Sequence, residues 1–129
     1  MAIVSGAGFV ARAFSGEQDH LVSIMKEAIN YPGYAIVDIF QPCPSFNKIN
    51  TYKYYNDRVY KLDESYDPSN KMMAIEKTME SDDSLPIGIF YKEDKPNFHD
   101  KHEVLSQGKP LLDIKPDKEV INSLIKEFV

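Results

Sequence analysis

The chain has 129 residues, 43% of them hydrophobic and 27% charged, with 20 acidic against 15 basic side chains and a net charge of −5. That length supports one continuous core without disulfides or metals, and the ordinary apolar share excludes disorder as a description of the whole. An acidic balance with only two arginines, Arg12 and Arg58, argues against nucleic acid as a partner, and no apolar run approaches the ~20 residues of a membrane span. The N-terminus lacks a basic region followed by an apolar stretch, so a soluble, cytoplasmic protein is expected.

From Phe9 to Phe14, aromatic and β-branched residues alternate with small or charged ones in a window too short for an independent helix, and the pattern predicts a strand. Ser15 and Gln18 have capping-box spacing, and Leu21, Val22, Ile24, Met25, Ala28 and Ile29 predict an amphipathic helix that Asn30-Tyr31-Pro32-Gly33 stops. Tyr34 to Phe40 is nearly continuous apolar, as in a parallel strand covered on both faces. Strand, helix and strand together make a βαβ unit, which puts the first half in the α/β class and is almost always right-handed.

Tyr52, Tyr55, Val59 and Leu62 fall at helical spacing and predict a tyrosine-faced helix from about Thr51 to Lys61. Asp67-Pro68-Ser69 opens a further helix carrying Met72, Met73, Ile75 and Met79, and the acidic run Glu80 to Asp83 at its end is expected to be solvated. Leu85 to Tyr91 predicts a third strand, with Pro86 tolerated at an edge or first position. The polar stretch from Lys92 to Lys115 reads as an extended arm lying over the surface or a partner. Pro116 then opens a final helix with Val120, Ile121, Leu124, Ile125 and Phe128 on one stripe.

Few motifs carry chemistry. Gly6-Ala7-Gly8-Phe9-Val10-Ala11 matches the letter of a dinucleotide fingerprint, but Ser15-Gly16 ends the segment too soon for the required helix, and Asp38 lies about ten residues beyond the usual acidic position. His99 and His102 in the arm, and His20 in the first turn of the first helix, read as exposed. No nucleophile elbow or phosphate-cradling loop is present, and Asp63-Glu64 and Asp82-Asp83 read as solvated faces.

Cys43, the only cysteine, can form no internal disulfide and cannot alone complete a metal site. Residue type favours a small buried hydrophobe. Its place between Pro42 and Pro44, just past a strand's carboxyl end where open α/β sheets gather their ligands, balances that with a functional reading.

Four stretches, Phe9 to Gly16, Ala35 to Asn47, Asn50-Thr51-Tyr52 and Ile87 to Tyr91 after Pro86, resemble in order and spacing the C-terminal half of the β subunit of 2-oxoacid:ferredoxin oxidoreductases. The resemblance is densest from Gly6 to Leu62 and looser to about Phe98. It implies part of a thiamine diphosphate-binding-type α/β domain over residues 1–91, followed by an extended arm and C-terminal helix over 92–129. It also implies a parent enzyme that oxidatively decarboxylates a 2-oxoacid such as pyruvate, passing the acyl group to coenzyme A and electrons to ferredoxin.

By matching position, Cys43 is implied as the fourth ligand of an iron–sulfur cluster whose other three come from an N-terminal cysteine set. Asp38 and Asn47 also match the pattern but receive no role. The chain lacks those N-terminal cysteines and the Gly-Asp-Gly segment that holds thiamine diphosphate through magnesium. It is therefore expected to be a fragment, a split subunit or the product of a truncated reading frame, inactive alone. Implied partners are the N-terminal portion of the β subunit, α/γ-type subunits and ferredoxin. The alternatives are a noncatalytic subunit-interaction domain derived from the fold and, behind it, a dinucleotide-binding module. Open edges at Phe9–Phe14 and Tyr34–Phe40 further predict self-association.

Overall fold

The computed structural model describes residues 1–81, 83–115 and 117–127; Asp82, Pro116 and Phe128, each part of an expected feature, lie outside them. The chain divides into two compact units, Met1–Asn97 and Phe98–Val129. Among the described residues, no helix is long and apolar enough to cross a membrane.

The first unit is a mixed α/β structure. Strand β1 (Phe9–Phe14) leads through helix α1 (Gln18–Asn30) to β2 (Ala35–Phe40), and the two strands pair in parallel from Phe9↔Ala35 to Phe14↔Phe40. The βαβ unit read from the sequence is therefore present. Next come α2 (Tyr52–Asn56), β3 (Val59–Lys61), α3 (Lys71–Thr78) and β4 (Leu85–Lys92). The sheet order is β2-β1-β4-β3, with β4 antiparallel to β1 and parallel to β3. A register irregularity between Val10 and Ala11 interrupts the β1–β4 ladder, the kind of bulge that bends a strand and increases its twist.

Alternation along β1 sends successive side chains to opposite faces. Phe9 and Ala11 pack with Ile24 and Tyr31 beneath α1. Val10 packs with Ile3, Ala7, Ala74, Phe90 and Tyr91 on the α3 side. Phe9, Phe14, Phe90, Ile87 and Pro86 are fully buried, and each large apolar side chain so removed from water contributes about 1.5–3 kcal/mol.

Several expectations change. The helix expected to reach Lys61 ends at Asn56, and Val59–Lys61 is instead a strand that β4 captures in parallel pairing. Ser15 does not cap α1: the cap residue is Glu17, with no side-chain cap bond, while the Ser15 N–H donates to the Phe40 carbonyl and clamps β1 to β2. The β2 strand is not covered on both faces. It lies at the edge of the described sheet with its residues half-buried or exposed, whereas β1 is paired on both sides and presents no open edge.

Pro86 is neither first in its strand nor on an edge strand. It is tolerated because the ladder to β3 uses its neighbours: the Leu85 N–H donates to the Arg58 carbonyl, and the Ile87 carbonyl accepts from the Leu62 N–H. Pairing with β1 begins only at Gly88, so the missing donor forfeits no ladder bond. The end of α3 is not fully solvated either. Glu80 accepts hydrogen bonds from the Tyr60 hydroxyl and, at 2.7 Å, from Lys77 Nζ, and both interactions hold its carboxyl below the usual range. Asp83, by contrast, is almost fully exposed.

In the second unit the arm expected to be extended contains a helical turn, α4 (Phe98–Lys101), and two 3₁₀ turns, Leu105–Gln107 and Leu111–Asp113. Helix α5 (Lys118–Glu127) follows. Its stripe of Val120, Ile121, Leu124 and Ile125 is exposed.

Candidate functional site

The carboxyl end of β2 runs directly into the segment that carries Cys43. Pro42 is buried and the Cys43 thiol is exposed on the far side of it. Two bonds fix the carbonyls of Cys43 and Pro44. The Asn47 N–H donates to the Cys43 carbonyl at 3.0 Å, and Lys48 Nζ donates to the Pro44 carbonyl at 2.5 Å. The Asn47 side-chain carbonyl in turn accepts from the N–H groups of Ile49 and Asn50, both at 2.9 Å. Asparagine suits this place because its short amide satisfies turn donors that would otherwise face water.

The far end of the loop is equally anchored. Thr51 caps α2 by accepting from the Tyr54 N–H, and Tyr55 stacks on Phe40 with ring centroids 5.1 Å apart. Phe14 meets both Tyr52 and Tyr55, so the tyrosine face expected here is a packing face that closes the loop back onto its own strand. Arg12 bonds Asp38 at 2.9 Å and lies over the Phe40 and Phe90 rings. Asp38 is thus an ion-pair partner on β2, a role its sequence context did not show. Phe46 and Ile49 project from the loop, 93% and 81% exposed.

The remaining candidates separate from this loop. The glycines at 6 and 8 lead into a strand rather than a helix, so the fingerprint's phosphate-binding helix terminus is not formed there. A side chain at Gly8 would collide with the Tyr31 hydroxyl, which donates to the Glu93 carbonyl at 2.7 Å; the glycine serves packing. His99 and His102 are exposed and lie against the Phe98 ring. Asp63 and Asp67 each accept from the N–H and hydroxyl of a serine two residues on, which holds both carboxyls low.

His20 is not exposed as expected. It is half-buried on the wall of a cleft of ≈ 300 Å³ shared with Ser23, Asp63 and Tyr66, and its Nδ1 has no hydrogen-bond partner. Burial pushes its pKa down, the neighbouring Lys61 charge adds to that, and Glu17 opposes it. Glu17 itself is held low by its 2.7 Å ion pair with Lys61.

Iron–sulfur clusters take cysteine thiolates, and an exposed thiol on a braced turn fits one such ligand. Among the described residues no three His, Cys, Asp or Glu side chains gather as a metal site, so the fit stops at one donor. Thiamine diphosphate with magnesium does not fit these residues: neither a carboxylate cluster among the described residues nor a Gly-Asp-Gly segment is there to hold it.

Comparison with known proteins bears on this loop directly. The family model for the C-terminal part of the pyruvate ferredoxin oxidoreductase β subunit matches residues 43–107, starting at the cysteine. A 2-oxoacid:ferredoxin oxidoreductase subunit beta from Saccharolobus solfataricus is 42% identical over 141 residues, covering 88% of this chain and 46% of the relative. The subunit beta of 2-oxoacid:ferredoxin oxidoreductase 1 from Aeropyrum pernix is 45% identical over 102 residues, 70% of this chain and 32% of its own length. Among solved structures, 2-oxoglutarate:ferredoxin oxidoreductase from Magnetococcus marinus, with 2-oxoglutarate, coenzyme A and succinyl-CoA bound, superposes with a TM-score of 0.78 at 32% identity. That match covers 95% of this chain and 42% of the other. The chain spans less than half the length of the curated relatives it matches.

Proposed function

The chain belongs to the family defined by the C-terminal part of the pyruvate ferredoxin oxidoreductase β subunit, and from that premise we propose that it forms the C-terminal portion of a 2-oxoacid:ferredoxin oxidoreductase β subunit and supplies Cys43 as one cluster ligand. Residues 1–91 are then the later part of a thiamine diphosphate-binding-type domain, and 92–129 an arm and terminal helix. The assembled, cytoplasmic enzyme oxidatively decarboxylates a 2-oxoacid with coenzyme A and reduces ferredoxin. Its thiamine diphosphate, magnesium and iron–sulfur cluster supply carbanion and electron-transfer chemistry when bound.

This chain's own part is binding and orientation. Pro42 and Pro44 stiffen the turn, Asn47 and Lys48 fix its carbonyls, and the aromatic tie from Phe40 to Tyr55 returns the loop to the sheet. The observation that carries the reading is the exposed thiol on that braced loop, at the start of the family match. The partners are the N-terminal portion of the β subunit, α/γ-type subunits and ferredoxin. The open β2 edge, and separately the exposed Val22 and Ile29 on α1, support a protein neighbour. Self-association of the isolated chain is expected for the same reason; a compact monomer in sedimentation at high concentration would count against it.

The test is reconstitution with iron and sulfide, on the chain alone and on the chain combined with a separately made N-terminal portion of a β subunit. A cluster is expected only in the combined protein and is expected to be lost in Cys43→Ala. A stable cluster on the lone chain, or one that survives C43A in the combined protein, rejects the ligand assignment. The second reading, a noncatalytic subunit-interaction domain, is favoured by the exposed apolar stripe of α5. It predicts a combined protein that assembles without taking up a cluster.

A further inference from the structure

We infer that the first turn of α1, Gln18 to Leu21, is an acid-released latch: when the His20 ring takes up a second proton, this turn leaves the 62–68 stretch while the rest of α1 stays in place.

His20 lines the ≈ 300 Å³ cleft together with Leu62, Asp63 and Tyr66 from the connection between β3 and α3. Its Nδ1 is sealed from solvent and has no hydrogen-bond partner among the described residues. A neutral imidazole tolerates that, because its one N–H can sit on Nε2 and leave Nδ1 bare. An imidazolium carries an N–H on both nitrogens, so in the closed turn the Nδ1–H is buried unpaired.

Charge acts in the same direction. Lys61 on β3 repels a second cation, and so does the positive end of the helix whose first turn holds His20. The nearby carboxylates do little to offset this. Glu17 is engaged by Lys61 at 2.7 Å, Asp63 accepts from the N–H and hydroxyl of Ser65, and Asp19 is the adjacent helical residue, which points elsewhere around the turn. Those bonds hold the Glu17 and Asp63 carboxyls below their usual range, so both charges persist while His20 titrates. The Tyr66 hydroxyl is committed to the Phe90 carbonyl at 2.8 Å.

What gives way is the start of the helix. Glu17 caps α1 without a side-chain bond, so the terminal N–H groups lose no side-chain acceptor when the turn opens. Further along, the helix is pinned, because Ile24 is 5% exposed and packs with Phe9, Ala11 and Tyr31. Opening the first turn brings the Nδ1–H to water and takes the ring away from Lys61, at no cost to those core contacts. An open turn titrates near the ordinary 6.5 and the closed turn below it, so acid draws the turn open, by up to about tenfold in the open-to-closed ratio per pH unit.

The experiment follows the 129-residue chain and its His20→Gln variant by nuclear magnetic resonance from pH 7.5 to 5. Two amides report on the two ends of α1: the Leu21 N–H donates to the Glu17 carbonyl at 2.9 Å, and the Tyr31 N–H donates to the Glu27 carbonyl at 3.0 Å. The His20 ring is expected to titrate with a midpoint below 6.5. Below that pH the exchange protection factor at Leu21 is expected to fall by up to about tenfold per unit, while that at Tyr31 holds. In His20→Gln the protection at Leu21 is expected to be independent of pH, and His20→Asn serves as a second neutral variant read in the same way. A His20 midpoint at or above 6.5 overturns the latch, as does protection at Leu21 that ignores pH in the wild-type chain. A fall at Leu21 and Tyr31 together, or one that persists without His20, overturns it as well, because the release is then neither local nor driven by this ring.

Discussion

In Met1–Asn97 the apolar side chains converge: Phe9, Phe14 and Phe90 are fully buried between a sheet and the helices on its faces. In Phe98–Val129 the helical stripe of Val120, Ile121, Leu124 and Ile125 stays 41–56% exposed, although its spacing is as regular as that of α1. Periodicity alone therefore does not make a core; a second surface must meet it. A ten-residue helix on its own is marginal in water, whereas the buried core residues among those described all lie in the first unit.

The contrast is most directly tested by truncating side chains on each side of it. Phe90→Ala is expected to destabilise the isolated chain by about 3–5 kcal/mol, read from urea denaturation, because the cavity lies between tightly packed neighbours. Tyr31→Phe leaves the Glu93 carbonyl without its donor and is expected to cost about 1–3 kcal/mol in the same assay. Asn70→Ala removes the oxygen that caps α3 by accepting from the Met73 N–H and is expected to cost about 1 kcal/mol.

A smaller effect is pH-dependent. The folded state lowers the pKa of His20 below 6.5, chiefly by burial, so the neutral form is favoured in the fold. Its contribution is complete above pH 6.5 and is lost as pH falls from there through the depressed value. His20→Gln is expected to flatten the stability profile in that window, measured by thermal denaturation from pH 7.5 to 5. Least of all, Leu124→Ala is expected to change stability by under about 0.5 kcal/mol. A cost comparable to that of Phe90→Ala would show that α5 is part of the same folding unit.

Where local pattern and tertiary contact agree, the sequence was a sufficient guide. β1, α1 and β2 have strong periods and a proline-glycine break, and their boundaries in the fold differ from expectation by only a few residues. Val59–Lys61 misled because Tyr52, Tyr55 and Val59 continue a helical spacing, while the partner that makes a strand of it lies more than twenty residues downstream. Capping from Ser15 failed for a similar reason: its N–H is drawn into the β1–β2 clamp.

The candidate site was half readable. Cys43 stands out by its prolines and its strand-end position, but the roles of Asn47 and Asp38 depend on which backbone donors and which guanidinium the fold brings to them. Asparagine's preference for turns hints at the first. For the Arg12–Asp38 pair nothing in a linear reading gives the register Arg12↔Asp38 that makes it.

The order of the sheet also has a consequence for how the chain is made. β4 arrives last in the first unit yet sits between β1 and β3, so β1 has only β2 beside it, and β3 has no strand partner at all, until Leu85–Lys92 has been synthesised. Contacts across such a sequence separation pay their loop-closure entropy late and form slowly. Val10, the β1 residue of the α3-side core, gains Phe90 and Tyr91 only at that moment. Until then the βαβ unit can cover only its α1 face, and a single eight-residue strand lets the α3 side form as well.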